Sequence, residues 1–555
     1  MSTSGGRLGA ADFLFSFLLL AFLGWYVHSH VDLRGRPEED AAMLLRYSQH
    51  LADGRGIVWN VGEKPVDGAT DFLFMVLVAG VHGLGASLES TARGIGFLAH
   101  GTTVLLVYFG ARAQGARPPW ALVPAVFLAL GPGLRHLAAC YGTPLFALAA
   151  TVSWLFACRL AVAEEGREGR PAVAFALAAL AMGLSRPEGV FLGGFMLVAV
   201  LGARDGRGSR PIVGRFLLVF LTLGLAYFLW RWHYFGYPLP NPFYKKGAGL
   251  LHAHSLRMSW RDLWNLGLPF VALLPLGLLV KGARRAALFA TVPVLLFVGL
   301  FVLISDETNY VMRFRYPILP VILIGCVPVA RALRARLAER VPRAASPSAG
   351  VAWPLAIALA GVLAWSQHRE YRFVAPQRMG LYDAALVLRD YAPRGFALAT
   401  TEAGLLPLYS GWRAVDAWGL NDQHVAHQGG IDEAYLDRYR PEVVVAHAYF
   451  SPGVEDRGVR VETRALGLPW YRMVMTLKGY AESRGYFLAA CFGRNEWDTH
   501  YYWVRRGFPQ GPEIVERLRA LDYYWDGEPT VDFAAPHDGP AVDAAAKGSQ
   551  DPAIP

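Results

Sequence analysis

Charge and cysteine are both scarce in this sequence. Only 17% of its 555 residues are Asp, Glu, Lys or Arg, while 54% are hydrophobic. An ordinary soluble protein carries about a quarter charged residues, so a single soluble body is excluded. The four cysteines, Cys140, Cys158, Cys326 and Cys491, form no CxxC pair, which speaks against a zinc ribbon and a disulfide framework. GxGxxG, Walker and HExxH motifs are missing, so nucleotide-driven chemistry and zinc hydrolysis have no support. The fifteen histidines show no metal-ligand spacing; no cofactor is expected, and metal dependence is left open. A basic stripe with interleaved aromatics is also missing. The net charge of +9 is therefore not read as a nucleic-acid footprint. No internal repeat is visible.

What is present is a series of apolar runs. Segments 12–30, 92–110, 119–134, 143–163, 171–184, 188–203, 212–231, 264–281, 284–304, 316–331 and 351–366 read as about eleven crossings, several shorter than the usual ~20 residues. The first lacks a small-residue cleavage site and reads as an anchor. Arginines gather in alternate short loops: Arg112 and Arg117; Arg159, Arg167 and Arg170; Arg204, Arg207, Arg210 and Arg215; Lys281, Arg284 and Arg285; and five from Arg331 to Arg343. These are the cytoplasmic loops of a positive-inside topology. A further apolar run, 71–86, would spoil that alternation and is read as a re-entrant or interfacial helix; a true crossing is the competing reading.

The expected fold is an α-helical polytopic membrane protein with a C-terminal α/β extracytoplasmic domain. Residues 1–366 form the membrane domain, with a long first outer loop at 31–91. The soluble domain covers 367–533, with a helical pattern at 380–392, β-rich runs at 396–401, 442–447 and 486–493, and an amphipathic helix at 512–522. From Ala534 the composition is that of a disordered tail.

Several polar groups fall on the outer side. Glu38, Glu39 and Asp40 follow Pro37 and open a helix; spacing of seven aligns Glu39 with Arg46 and Asp40 with Tyr47. An acid here can take a proton from an incoming hydroxyl, or simply favour the helix dipole. Arg186 and Glu188 occupy a very short turn between apolar helices, as a functional pair or an interhelical clamp. In RWHYFGYPLPNPFYKK, the Pro and Gly content argues against a regular helix. Lys245 and Lys246 put positive charge outside, suited to an outer-leaflet phosphate or to plain headgroup anchoring. Asp306 and Glu307 precede Arg313 and Arg315, where an arginine fork suits a phosphate and snorkelling is the alternative.

The pieces EEDAAMLLRYSQHLADGRGIVWN, GATDFLF, SRPEGV, YFGYPLPNPFY and RFRYPILP occur in the order seen in GT-C glycosyltransferases. The chain most resembles the group containing the AftB terminal arabinofuranosyltransferases and the ZomB-like motility-associated proteins, over nearly its whole length to about residue 450. TEAGLLPLYSGWRAVDAWGLNDQHVAH resembles that group's extracytoplasmic domain. The resemblance implies an inverting transfer from a polyprenyl-phosphate sugar to an envelope glycan or glycolipid, on the outer face of a bacterial inner membrane. It implies Asp40 or Glu39 as base, and Arg313, Arg315, Lys245, Lys246 and Arg186 around the donor phosphate and lipid. Glu188, Arg46, Tyr47, Asp71, Asn241 and Tyr244 lie in the matching motifs as candidate substrate contacts. Glu402, Asp416, Asn421 and Asp422 are the matching polar positions of the soluble domain, to be weighed against a loop-shaping role. Three departures stand out: Glu39 where Asp is more usual, Ala69-Thr70-Asp71 for Tyr-Thr-Asn, and Pro242 for Thr. Arabinose is not carried over. Two other classes remain: a lipid or glycan transporter, disfavoured by outer-loop rather than midplane acids, and a non-enzymatic envelope scaffold.

Overall fold

The computed structural model describes residues 8–204, 208–247, 251–304, 309–340, 349–372, 380–448, 467–495 and 498–521. Asp306, Glu307 and the tail from 534 lie outside the described residues. The chain divides into two compact units, Met1–Pro376 and Gln377–Pro555.

The first unit is helical. Helix α1 is Ala10–His30, and the first outer loop carries α2 (Glu39–Ala52) and α3 (Phe72–His82). Then come α4 (Leu88–Ala113), α5 (Pro118–Ala129), α6 (Gly133–Ala138), α7 (Thr143–Ala161), α8 (Gly169–Ser185) and α9 (Glu188–Ala203). Helices α10 (Ser209–Val219) and α11 (Leu225–Phe235) join through a π-turn into one span. They are followed by α12 (Asn241–Lys246), α13 (Ala253–Gly267), α14 (Leu273–Leu279), α15 (Lys281–Leu300), α16 (Leu319–Arg340) and α17 (Ala349–Tyr371).

Among the described residues seven helices are long and apolar enough to cross a membrane, and the bent pair α13–α14 makes an eighth candidate. The other three expected crossings are the shorter apolar helices α5, α8 and α9. Two expectations change. The segment 264–281 is not one straight crossing: the chain bends by 107° between Gly267 and Phe270, where Pro269 cannot donate a helical hydrogen bond. The segment after α11 is partly helical after all, because Pro242 sits in the first turn of α12, where its missing N–H costs nothing.

Helix α3, at 11 residues, is close in length to α5, at 12, so contacts rather than length decide its place. Contacts place both of its flanks at one end of the bundle. Asp71 before it pairs with Arg186 at 2.7 Å. Arg93 after it donates to the carbonyls of Leu33 (2.9 Å) and Gly35 in the first outer loop. At the opposite end Arg112 bonds Asp12, Arg204 bonds Glu168 at 2.8 Å, and Arg331 donates to the Gln114 carbonyl at 2.6 Å. These loops sort into two sets, as the arginine alternation requires when α3 does not cross.

Trp154, Phe127, Phe146 and Phe175 fill the bundle core. Small residues let the helices close: a Cβ on Gly325 of α16 would lie 2.7 Å from Ala290 of α15.

The second unit is a five-stranded mixed sheet ordered β2-β1-β3-β5-β4, with β1 Ala397–Thr400, β2 Arg413–Asp416, β3 Val443–Ala448, β4 Phe487–Asn495 and β5 Asp498–Val504. Strand β1 is parallel to β2 and β3, whereas β5 runs antiparallel to β3 and β4. Helices α18 (Leu381–Arg389), α19 (Leu405–Ser410), α20 (Gln423–His427), α21 (Glu433–Tyr439), α22 (Gly467–Ser483) and α23 (Gly511–Arg519) complete it. Val443, Val444 and Val445 are fully buried, a continuous apolar run in the central strand, which is parallel to β1 and antiparallel to β5.

Candidate functional site

Helix α2 starts where Pro37 ends the preceding turn. Glu38 takes the extended N-cap conformation and donates its N–H to the Ala139 carbonyl at 3.2 Å. That bond ties the helix start to the loop before α7. Ala41, Ala42 and Leu45 are buried along one face, and this fixes the direction of Asp40, whose side chain remains 19% exposed. The Asp40 carboxylate forms an ion pair with Arg313. Glu39 shares the first turn of α2. Dipole stabilisation and ion pairing therefore coexist here.

Arg313 is itself buried, with its guanidinium 4.4 Å from the Tyr141 ring centre and 4.9 Å from that of Phe314. Arg186 lies on the same Phe314 ring, at 5.1 Å. Its guanidinium bonds Asp71 at 2.7 Å and Glu188 Oε1 at 3.0 Å. Two arginines and three carboxylates, from the first outer loop, the Arg186–Glu188 turn and the turn before Arg313, thus gather near one aromatic ring. Burial pushes the Asp71 carboxyl above the usual carboxylate range; Arg186 opposes this, Glu188 adds to it, and the Arg313 charge also reaches it.

The backbone before Arg313 is strained. Val311 and Met312 both adopt positive φ, 45° and 55°, a conformation disfavoured for a β-branched residue. His136 Nε2 lies 3.0 Å from the Val311 carbonyl, and Arg135 donates to the Tyr310 hydroxyl at 3.3 Å. The α6 segment thereby holds the turn that aims Arg313.

Other sequence candidates are placed elsewhere. Arg46 is buried, donating to the Trp59 carbonyl at 2.9 Å and Asn60 Oδ1 at 3.2 Å; Tyr47 donates to the Val66 carbonyl at 3.1 Å. Both pack the first outer loop. Arg315 turns towards α13, bonding Ser259 Oγ at 3.0 Å and approaching Asp262 at 3.6 Å. Asn241 is buried and its N–H donates to the Asp67 carbonyl at 2.9 Å. Lys245, Lys246 and Tyr244 are half-buried on α12, where the Tyr244 ring meets Tyr237. Tyr141 and Phe314 escaped sequence reasoning because an aromatic in an outer loop is read first as an interface anchor.

The fold has solved counterparts. Over 89% of this chain and 98% of its own, ArnT from Cupriavidus metallidurans in the apo state superposes with a TM-score of 0.53 at 15% identity. ArnT bound to undecaprenyl phosphate gives 0.52 at 14% identity, with the same coverage. The chain has the GT-C fold. No curated protein sequence matches it, and residues 363–505 match a family model described as a domain of unknown function (DUF8728). Within this fold the charged cluster is built from the first outer loop and the short turns that face it.

In the second unit the Asp416 carboxylate accepts the N–H groups of Trp418, Gly419 and Asn421 at 3.0, 3.0 and 2.8 Å, and the Asn421 side chain at 2.9 Å. Asp422 caps α20 through Val425 N–H and accepts the Tyr435 hydroxyl at 2.8 Å. Burial pushes the Asp422 carboxyl up to about 6. These bonds shape the loop after β2, the role weighed against substrate contact. Glu402 instead meets His447 and His500. Strand pairing brings these two histidines opposite each other although they lie 53 positions apart in sequence.

Proposed function

We propose that this protein is a membrane glycosyltransferase that moves a sugar from a polyprenyl-phosphate donor to an envelope glycan or glycolipid, with inversion, on the outer membrane face. The observation that carries the reading is the Asp40–Arg313 ion pair, set beside the Arg186–Asp71–Glu188 cluster in a GT-C fold. ArnT, which shares that fold, has been captured with undecaprenyl phosphate.

In the proposed step an acceptor hydroxyl oxygen attacks the anomeric carbon as its bond to the phosphate oxygen breaks. The hydroxyl proton goes to Asp40, and the bonding electrons leave with the lipid phosphate. Arg313 has five N–H donors and can hold Asp40 and a phosphate oxygen together, stabilising the charge that develops on the leaving group. Arg186 adds a second cation nearby. Asp40 is taken as the base because its carboxylate contacts Arg313.

The test is transfer by the purified protein across a panel of polyprenyl-phosphate sugars. Asp40→Asn keeps the shape and removes the proton acceptor, and should cost about 10²–10⁴-fold in kcat. Full activity of Asp40→Asn on an accepted donor would refute the assignment.

A further inference from the structure

The second unit holds a group of side chains that sugar transfer does not use. Glu402 follows β1, His447 lies near the end of β3, and His500 lies in β5. Strand register sets His447 directly opposite His500, and the two imidazoles stack with centroids 4.2 Å apart. Glu402 Oε1 is 2.7 Å from His447 Nδ1 and 3.6 Å from His500 Nε2. One ligand atom from each residue falls within a 4.8 Å span.

The surroundings hold these groups in place. Thr400 Oγ1 accepts the Glu402 N–H at 3.0 Å and donates to the Glu402 carbonyl at 2.9 Å, while Thr401 Oγ1 accepts the His447 N–H at 2.9 Å. His500 is fully buried, whereas the side chains of Glu402 and His447 are 18% and 19% exposed. The group therefore has a closed floor and one open side. The match to the domain of unknown function spans all three residues.

We propose that Glu402, His447 and His500 bind one divalent transition-metal ion, zinc foremost, with a coordination position left on the open side for water or an oxygen ligand. Bond lengths of ~2.0–2.2 Å in tetrahedral zinc separate neighbouring ligand atoms by roughly 3.3 Å, and the two observed separations straddle that value. Two imidazole nitrogens and one carboxylate suit zinc, iron or manganese better than calcium or magnesium, which favour all-oxygen sites. Two stacked imidazoles beside one carboxylate would repel if both were protonated. Neutral rings offering lone pairs to a shared cation avoid that conflict. The competing arrangement is a metal-free Glu–His hydrogen bond.

The experiment uses the full chain in detergent, carrying a tag without histidine. It is stripped with a chelator, incubated with zinc chloride, desalted and assayed by elemental mass spectrometry. About one zinc per chain is expected, with a rise in melting temperature on zinc addition. Cobalt chloride in place of zinc should give visible ligand-field absorption. Glu402→Gln and His447→Gln, which stay close in size, should retain less than about a tenth of the zinc and lose the thermal response. A wild-type chain that retains no zinc overturns the proposal, as do folded variants that still bind one equivalent. Metal content is read without any sugar donor, so failure of the transfer assignment leaves this result standing.

Discussion

Asp40 and Arg313 are 273 residues apart in sequence, yet their side chains form an ion pair beside the ring of Tyr141. Lysine could neutralise Asp40 equally well. Only the planar guanidinium can stack on two rings while presenting further donors to a phosphate.

Arg313→Lys should therefore retain the fold and the Asp40 contact but lose phosphate geometry. The expected loss is about 10²–10³-fold in kcat/KM for the lipid-linked donor, measured by steady-state transfer. Unchanged kinetics would remove Arg313 from the donor site.

Arg186 compensates two buried acids at once, Asp71 and Glu188. Arg186→Met leaves both uncompensated and should destabilise the bundle by about 3–5 kcal/mol, seen as an early thermal transition in detergent. Adding Asp71→Asn should restore part of that loss. Additive single and double changes would show that the pair is not coupled.

Gly142 packs against the same cluster. A Cβ there would lie 2.8 Å from Asp71 Oδ2 and 2.9 Å from Cγ of Phe74. Gly142→Ala should displace Asp71 and reduce transfer at least tenfold, with a smaller effect on melting than Arg186→Met. Wild-type turnover would mean that Asp71 can shift without consequence.

The position of α3 can be read by labelling. Val61 and Leu84 are exposed on either side of it, and all four native cysteines are buried. Val61→Cys and Leu84→Cys should both react with a membrane-impermeant maleimide from the outer side. Reaction of Leu84→Cys only after permeabilisation would make α3 a crossing.

Asp422 gives the second unit a pH dependence. Its carboxyl is raised by burial from 3.8 to about 6, so the folded state binds the proton more tightly than the unfolded one. The stability it contributes is complete in acid and is lost as pH rises from about 4 to 6, by at most about 3 kcal/mol. Asp422→Asn keeps the cap acceptor and should melt progressively higher than wild type as pH increases over that window. A melting difference that is flat between pH 4.5 and 7 would contradict the burial argument.

Much of the architecture was legible in the sequence. The apolar runs marked α1, α4, α7 and the paired segments that follow, because membrane-length hydrophobicity is a local property. The strands at 397–400, 443–448 and 487–495 were visible as β-rich runs. Strands β2 (RAVD) and β5 (DTHYYWV) did not stand out, because charged and polar residues interrupt the apolar run in each. The bend at Pro269 was missed because composition marks an apolar segment but not its direction.

Charge was only half readable. Arg112 and Arg204 counted as inner-loop cations, yet they also clamp Asp12 and Glu168. Likewise Arg46, Arg313 and Arg315 look alike as residue types. One binds its own loop, one pairs with Asp40, and one faces Ser259 and Asp262. Alternation of apolar and basic segments, a property of neighbouring residues, determined that this chain is a membrane protein and which loops share a side. Helix packing and strand register decided which arginine meets Asp40 and which histidines meet Glu402. Those contacts join positions tens to hundreds of residues apart, and no local pattern encodes the distance between them.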